Sequence, residues 1–179
     1  MNSLFGAIAS AEIIQKPEPP ANAPEWNKLE TLNKEREVVG IYLSSHPLDE
    51  YRIEIDNFTN CTLTDLNDLP SMVGRDFSVA GMVTTARNLM TKTGKPYGSI
   101  TVEDYQDSYQ FTLFGKDYEQ FRSFFYEGYS LLIRGSVNPH PFRPGEFEAK
   151  IKVIRQLPNV KDEMVKGIQI TLPIFSITD

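Results

Sequence analysis

The sequence predicts a mainly β protein: a helical lead-in, then a five-stranded barrel with a helix between strands three and four. Three observations carry that expectation. The stretch Phe77–Phe114, FSVAGMVTTARNLMTKTGKPYGSITVEDYQDSYQFTLF, holds three apolar-alternating runs separated by two gaps of turn residues, and a period of two is the signature of strands with one buried face. Lys116–Tyr126 then has helical spacing, with Tyr118, Phe121, Phe124 and Phe125 on one face and Gly128 as a stop. Two further alternating runs follow, Tyr129–Val137 and Phe147–Leu157, joined by the proline-rich Asn138–Gly145.

A chain of 179 residues supports one good core and a small appendage. Its 40% hydrophobic content is low for a compact domain and suggests that part of it is extended or disordered. One cysteine, Cys61, excludes an internal disulfide and a Cys-rich zinc site. No apolar run approaches the ~20 residues needed to span a bilayer, and the N-terminus lacks the basic-then-apolar order of a signal peptide. A cytoplasmic protein is expected. The net charge of −6 is uneven: residues 1–72 hold 12 acids and 5 bases, whereas residues 73–156 hold 9 acids and 11 bases. The acidity therefore does not exclude a nucleic-acid surface on the second part, but a balance of +2 there is mild for a strong non-specific binder.

Residues 1–10 form a short apolar cluster, and the four prolines of residues 15–24 read as an extended linker. From composition alone, residues 1–22 are a disordered terminus. Residues 23–72 are the helical lead-in. Pro24 suits a first helical position, and Trp26, Leu29, Leu32, Val39, Tyr42 and Leu43 recur at three- and four-residue spacing, predicting a helix to about Leu43. Pro47 ends that helix and starts a second one with Leu48, Tyr51 and Ile55 on one face. Thr62 and Asp65 resemble a reciprocal cap for a single turn. His46, at the break, reads as a capping or packing residue, since His140 is distant and no cysteine or carboxylate cluster accompanies it. Asp49 and Glu50 are adjacent on a helix, point apart, and read as solvated.

The first strand, Phe77–Ala86, is expected to put Val79, Gly81 and Val83 on one face and Ala80, Met82 and Thr84 on the other, with a bulge or bend at Gly81. A basic loop over Arg87–Tyr97 leads to the second strand, Ser99–Glu103, with Ile100 and Val102 inward. The third, Ser108–Phe114, turns Tyr109, Phe111 and Leu113 inward. In the fifth, Phe147, Ala149, Ile151 and Val153 alternate against Glu148, Lys150 and Lys152. Three strands, a helix and two strands is the order of an oligonucleotide/oligosaccharide-binding (OB) barrel, here over residues 73–157. Lys161–Lys166 then reads as a charged connector, and Gly167–Leu172 as a strand beginning a truncated C-terminal domain over 158–179.

An OB barrel takes nucleic acid on the face of strands two and three, flanked by the loops between strands one and two and between four and five. Here those loops carry Arg87, Lys92 and Lys95 on one side and His140, Phe142 and Arg143 on the other, within the acid-free windows 77–102 and 128–145. Cations there suit phosphates. Tyr97, Phe142 and Phe114 suit base stacking. Arg134, Lys150 and Lys152 extend the track if they face outward, while Glu103 and Asp104 near the face argue for a weak grip. Each lysine singly also fits an ordinary solvated hairpin. The sequence holds no nucleophile–base constellation, Gly-rich phosphate cradle or metal-ligand spacing, so the residues alone indicate a binding module.

Three stretches carry a family resemblance. KEREVVGIYLSSHPLDEY at Lys34–Tyr51 resembles the segment that leads into the OB domain of the bacterial replicative DNA polymerase III alpha subunit. MTKTGKPYGSITVED at Met90–Asp104 is similar to that family's first OB hairpin, and NSLFG at Asn2–Gly6 to its internal clamp-docking motif, with Leu4 and Phe5 as the apolar–aromatic pair and Met1 where a glutamine belongs. The resemblance implies a non-catalytic portion of a DNA-directed DNA polymerase. Its OB domain would contact single-stranded template, its terminal peptide would dock on the beta sliding clamp, and the tau subunit would bind through a missing C-terminal domain. It places the magnesium site outside this chain, leaving no cofactor here. A tRNA anticodon-binding OB domain and a protein–protein OB domain are the alternatives.

Overall fold

The first helix starts at Asn27 rather than Pro24. The Asn27 side chain accepts a hydrogen bond from the Glu30 N–H, and the Glu30 carboxylate accepts one from the Asn27 N–H; this reciprocal cap satisfies two otherwise orphaned donors. The computed structural model describes residues 24–167, the Leu29 side chain excepted, and helix α1 covers Lys28–Val39. It stops at Gly40, whose φ of 89° is the left-handed conformation that ends helices, not at Leu43. Glu35 then accepts from the N–H groups of Leu43 and Ser44. Leu32 is buried and Tyr42 half-buried, but Trp26, Val39 and Leu43 of the expected apolar stripe are exposed. The expectations for residues 1–22, including Leu4 and Phe5, and for a strand over 168–172 lie outside the described residues.

His46 caps the next element, as its position suggested. Its Nδ1 accepts from the Leu48 N–H at 3.2 Å, opening a 3-10 turn, Pro47–Tyr51, that continues as α2, Arg52–Phe58. Thr62 and Asp65 cap α3, Leu63–Leu66, reciprocally.

The barrel follows as β1 (Asp76–Met90), β2 (Pro96–Glu103), β3 (Ser108–Phe114), α4 (Gly115–Phe121), β4 (Ser130–Pro139) and β5 (Phe147–Gln156). All pairings are antiparallel, in the order β3-β2-β1-β4-β5. The central strand changes partner midway: Asp76–Met82 pair with β4, and Met82–Met90 pair with β2. Gly81 sits at that corner, where a Cβ would stand 2.5 Å from Val102 Cγ1 and 2.8 Å from the Glu103 carbonyl oxygen. Of the bulge or bend expected at Gly81, the bend is there, and the bulge is the extra residue Thr84, between Val83 and Thr85. Gly81 provides close backbone approach; Thr84 provides the added twist.

Strand β1 also runs on through Arg87–Met90, and β2 begins at Pro96. The expected basic loop over 87–97 is therefore mostly a ladder, and only Thr91–Lys95 turn. The Thr91 hydroxyl accepts from the Lys95 N–H, and Gly94 takes a φ of 76°.

Two apolar clusters hold the fold. The barrel interior contains Phe77, Val79 and Val83 of β1, Ile100 and Val102 of β2, and Phe111 and Leu113 of β3, closed by Tyr118, Phe121 and Phe125 from the α4 region. Outside the barrel, Ala80, Met82 and Leu132 pack with Leu48, Leu157 and Val160. Both faces of β1 are thus buried in its first half, which the split between Val79/Val83 and Ala80/Met82 anticipated. Each buried Val, Leu, Ile, Phe or Met side chain among these contributes roughly 1.5–3 kcal/mol of transfer free energy.

Two expectations at the C-terminal side are corrected. Lys152 is an extra residue in β5, since Arg134 pairs with Val153 but Gly135 pairs with Ile151. This shifts the alternation by one, so Ile154 is buried and Val153, expected inward, is 37% exposed. The proposed connector is part of a helix, α5 (Leu157–Met164), which buries Leu157 and Val160 against β4 and α2. Its charged residues occupy the outer side of a helical turn rather than a loop.

Candidate nucleic-acid interface

Directly paired residues on antiparallel strands project from the same face, so the ladder registers define the outer surface of β1–β2–β3. One cross-strand row is Leu89, Tyr97 and Phe114. The next is Arg87, Ser99 and Thr112, and the third is Thr85, Thr101 and Gln110. Tyr97 and Phe114 stack at 5.1 Å between ring centroids with an interplanar angle of 14°. Phe114 is 58% exposed and Leu89 39%. Beside them, the Gln110 amide donates to Ser99 Oγ at 2.7 Å. The result is an open aromatic platform bordered by hydroxyl and amide groups.

Strand pairing presents Arg87 in the second row, and the hairpin tip carries Lys92 and Lys95. All three are exposed, and none forms an ion pair among the described residues. The tip is held by its own backbone and Thr91, leaving both ammonium groups available.

The other expected residues divide. Lys150 is exposed in β5, beside a cleft of about 180 Å³ that Thr112, Phe114 and Asp117 also line; it joins the platform from the far edge. Phe142 is 88% exposed in the β4–β5 loop, where His140 Nδ1 accepts its N–H. Arg143 does not offer a free charge: Glu146, one residue beyond the acid-free window, holds it at 3.0 Å. Arg134 is not brought to the platform. Its Nε donates to Ser78 Oγ at 3.2 Å, and Ser78 lies nine residues before Arg87, about 30 Å of strand. Lys152 pairs with Asp76 at 2.7 Å.

The acidic turn after β2 is also changed in meaning. Glu103 continues the outward column Tyr97, Ser99, Thr101, yet its carboxylate is held by Arg36 at 2.7 Å. Asp104 accepts from the N–H groups of Leu63, Gln106 and Asp107. Leu89 and the Ser99–Gln110 pair were missed in the sequence, although counting by twos from Tyr97 and Arg87 reaches Ser99 and Leu89. Among the described residues, no group of three or more His, Cys, Asp or Glu is placed to hold a metal, and no helix is long and apolar enough to cross a membrane.

Comparison with known proteins agrees with this geometry. Residues 77–157 match the tRNA anti-codon family, an OB-fold nucleic acid binding domain. DNA polymerase III subunit alpha of Haemophilus influenzae is 33% identical over 158 residues, 88% of this chain and 13% of that one. The Vibrio cholerae subunit is 28% identical over 94% of this chain and 14% of its own length, and that of Escherichia coli K12 is 26% identical over 98% and 15%. Among solved structures, the second single-stranded DNA binding protein of Mycobacterium smegmatis aligns over 55% of this chain and 99% of that one, at a TM-score of 0.33 and 12% identity; so loose a likeness carries no weight alone. The chain spans about 13–15% of the length of the polymerase relatives. With its helical lead-in and its five-stranded barrel, the chain is similar along nearly its whole length to a segment of bacterial DNA polymerase III subunit alpha, and its residues 77–157 are an OB-fold nucleic acid binding domain.

Proposed function

We propose that this segment is a non-catalytic, single-strand-binding and clamp-tethering portion of a replicative DNA polymerase. One observation carries the binding part: the solvent-open Tyr97–Phe114 stack beside the uncompensated Arg87, Lys92 and Lys95. Stacking on such a pair is sequence-tolerant, because every base has a π-face. Three or four cations engage phosphates, with Lys150 at the far edge. Phe142 extends the stacking surface from its loop. A grip of this size is weak and salt-sensitive, which suits an enzyme that must release each phosphate as it advances. Leu4 and Phe5 dock on the beta sliding clamp and raise the effective concentration of template without tightening the local grip. The parent's magnesium-dependent synthesis, its tau contact and its place in the cytoplasm at the nucleoid belong to the longer chain.

Fluorescence anisotropy of labelled oligo-dT tests the platform, using wild type, Tyr97→Ala/Phe114→Ala and Lys92→Ala/Lys95→Ala at low and high salt. Both variants are expected to bind more weakly, with wild type losing affinity as salt rises. Binding indifferent to salt and to both variants would reject the electrostatic and stacking roles together. A folded RNA loop as competitor addresses the anticodon-binding alternative, which the matched family's own name favours; that alternative requires the RNA to displace oligo-dT. For the tether, Leu4→Ala/Phe5→Ala is expected to abolish retention of the chain on immobilised clamp.

A further inference from the structure

The platform ends at a carboxylate. Glu103 stands on the same outward column of β2 as Tyr97, Ser99 and Thr101, and a free negative charge there opposes a phosphate backbone lying over the face. The helical lead-in compensates that charge. Arg36 of α1 meets Glu103 at 2.7 Å, donates to the Tyr42 hydroxyl at 3.1 Å, and lies 5.2 Å from the centre of the Tyr42 ring. Tyr42 in turn meets His46 edge-on at 5.3 Å, and His46 meets Tyr105 at 4.5 Å. The Tyr105 hydroxyl donates to Asp49 at 3.1 Å. The remaining acids of the turn are occupied from the same side: Asp104 by the Leu63 N–H, and Asp107 by the Asn67 amide at 2.7 Å.

We propose that Arg36 is a positioning residue for nucleic-acid binding: held by Tyr42, it masks Glu103 so that the outer face of β1–β2–β3 presents no uncompensated carboxylate to a single strand. The lead-in thereby tunes the affinity of a surface it does not itself form. The proposal rests on the platform reading above and adds to it a residue outside the barrel. It also identifies work for the Lys34–Tyr51 stretch, whose Arg36, Tyr42, His46 and Asp49 all belong to this contact.

The test uses the full chain and labelled oligo-dT, with Arg36→Ala, Glu103→Gln and the double variant. Arg36→Ala is expected to weaken binding about threefold at low salt, less at high salt. Glu103→Gln in that background is expected to restore it, and Glu103→Gln alone is expected to bind at least as well as wild type. A structural role for Arg36 alone would not produce rescue by removing its partner's charge. Wild-type binding with Arg36→Ala unchanged overturns the mask and leaves the platform standing. So does weakened binding that Glu103→Gln fails to restore in a chain whose hydrogen exchange shows an intact barrel. Wild type that ignores oligo-dT overturns the platform, and the mask with it.

Discussion

Glu54 is the most constrained charge in the described residues. It is 2% exposed, its Oε1 meets the Lys161 ammonium at 3.0 Å, and its Oε2 has no hydrogen-bond partner. Lys161 is half exposed while Glu54 is buried, so the pair itself contributes little net stability, but removing the lysine strands a buried carboxylate. Lys161→Met is therefore expected to cost roughly 2–3 kcal/mol in urea denaturation, and Glu54→Gln in that background to recover most of it. A cost below the error of the measurement would show that water reaches Glu54. His46 makes a second prediction. Burial holds its imidazole below the usual 6.5, outweighing the attraction of Asp49, Glu103 and Asp104, while Arg36 also opposes its charging. A base with a depressed folded pKa stabilises the fold fully above its unfolded value, and that stability is lost as pH falls below it. Melting temperature should drop between pH ~7 and pH ~5.5, and His46→Gln should flatten that drop. The neighbouring Tyr105 phenol, pushed up to about 12 by burial and by its bond to Asp49, stays protonated and keeps donating throughout.

Elements show where periodicity was enough and where it failed. The bounds of β3 and the inward set Ile100, Val102, Phe111 and Leu113 were readable, because nothing interrupts their alternation. The phase of β5 was not, since one inserted residue, Lys152, leaves no mark in the residue pattern. Periodicity cut the hairpin of β1 and β2 short because Arg87 and Asn88 resemble loop residues, whereas the ladder runs to Met90 and Pro96. Helix α5 was hidden by its charges, although Leu157, Val160 and Met164 have helical spacing. The Arg36–Glu103 contact joins residues far apart in sequence, and no local pattern announces it. A third prediction belongs to this scale. A Cβ on Gly135 would collide with the Lys150 carbonyl oxygen and stand 2.6 Å from Phe77 Cζ. Backbone cannot swing aside as a side chain can, so Gly135→Ala is expected to cost about 3 kcal/mol, read as a lower urea midpoint. An unchanged midpoint would mean that β4 and β5 separate more easily than their ladder suggests.

For the whole molecule, the measurable quantity is the salt slope of binding. Arg87, Lys92 and Lys95 acting together on a single strand predict a log–log slope of about −2, falling to about −0.7 in Lys92→Ala/Lys95→Ala. A slope that stays steep in the variant would place the phosphate contacts elsewhere, with Lys150 the first alternative. The molecule is also divided in its labour: the face that lies open to solvent comes from β1–β2–β3, while β1–β4 is covered by the lead-in and α5. Among the described residues the sheet does not close on itself. β3 and β5 are its two ends, approaching across a narrow cleft without a ladder between them. Unpaired strand edges are templates for self-association into aggregates. On β5 the guards are Lys150 and the bulged Lys152, whose charge and kink discourage a neighbouring strand from adding on. Lys150→Val/Lys152→Val should therefore scatter light on incubation at concentrations where wild type stays clear, and equal clarity would show that the cleft alone is protection enough. The gap that leaves the barrel open thus makes solubility, as well as the proposed binding, depend on where its lysines stand.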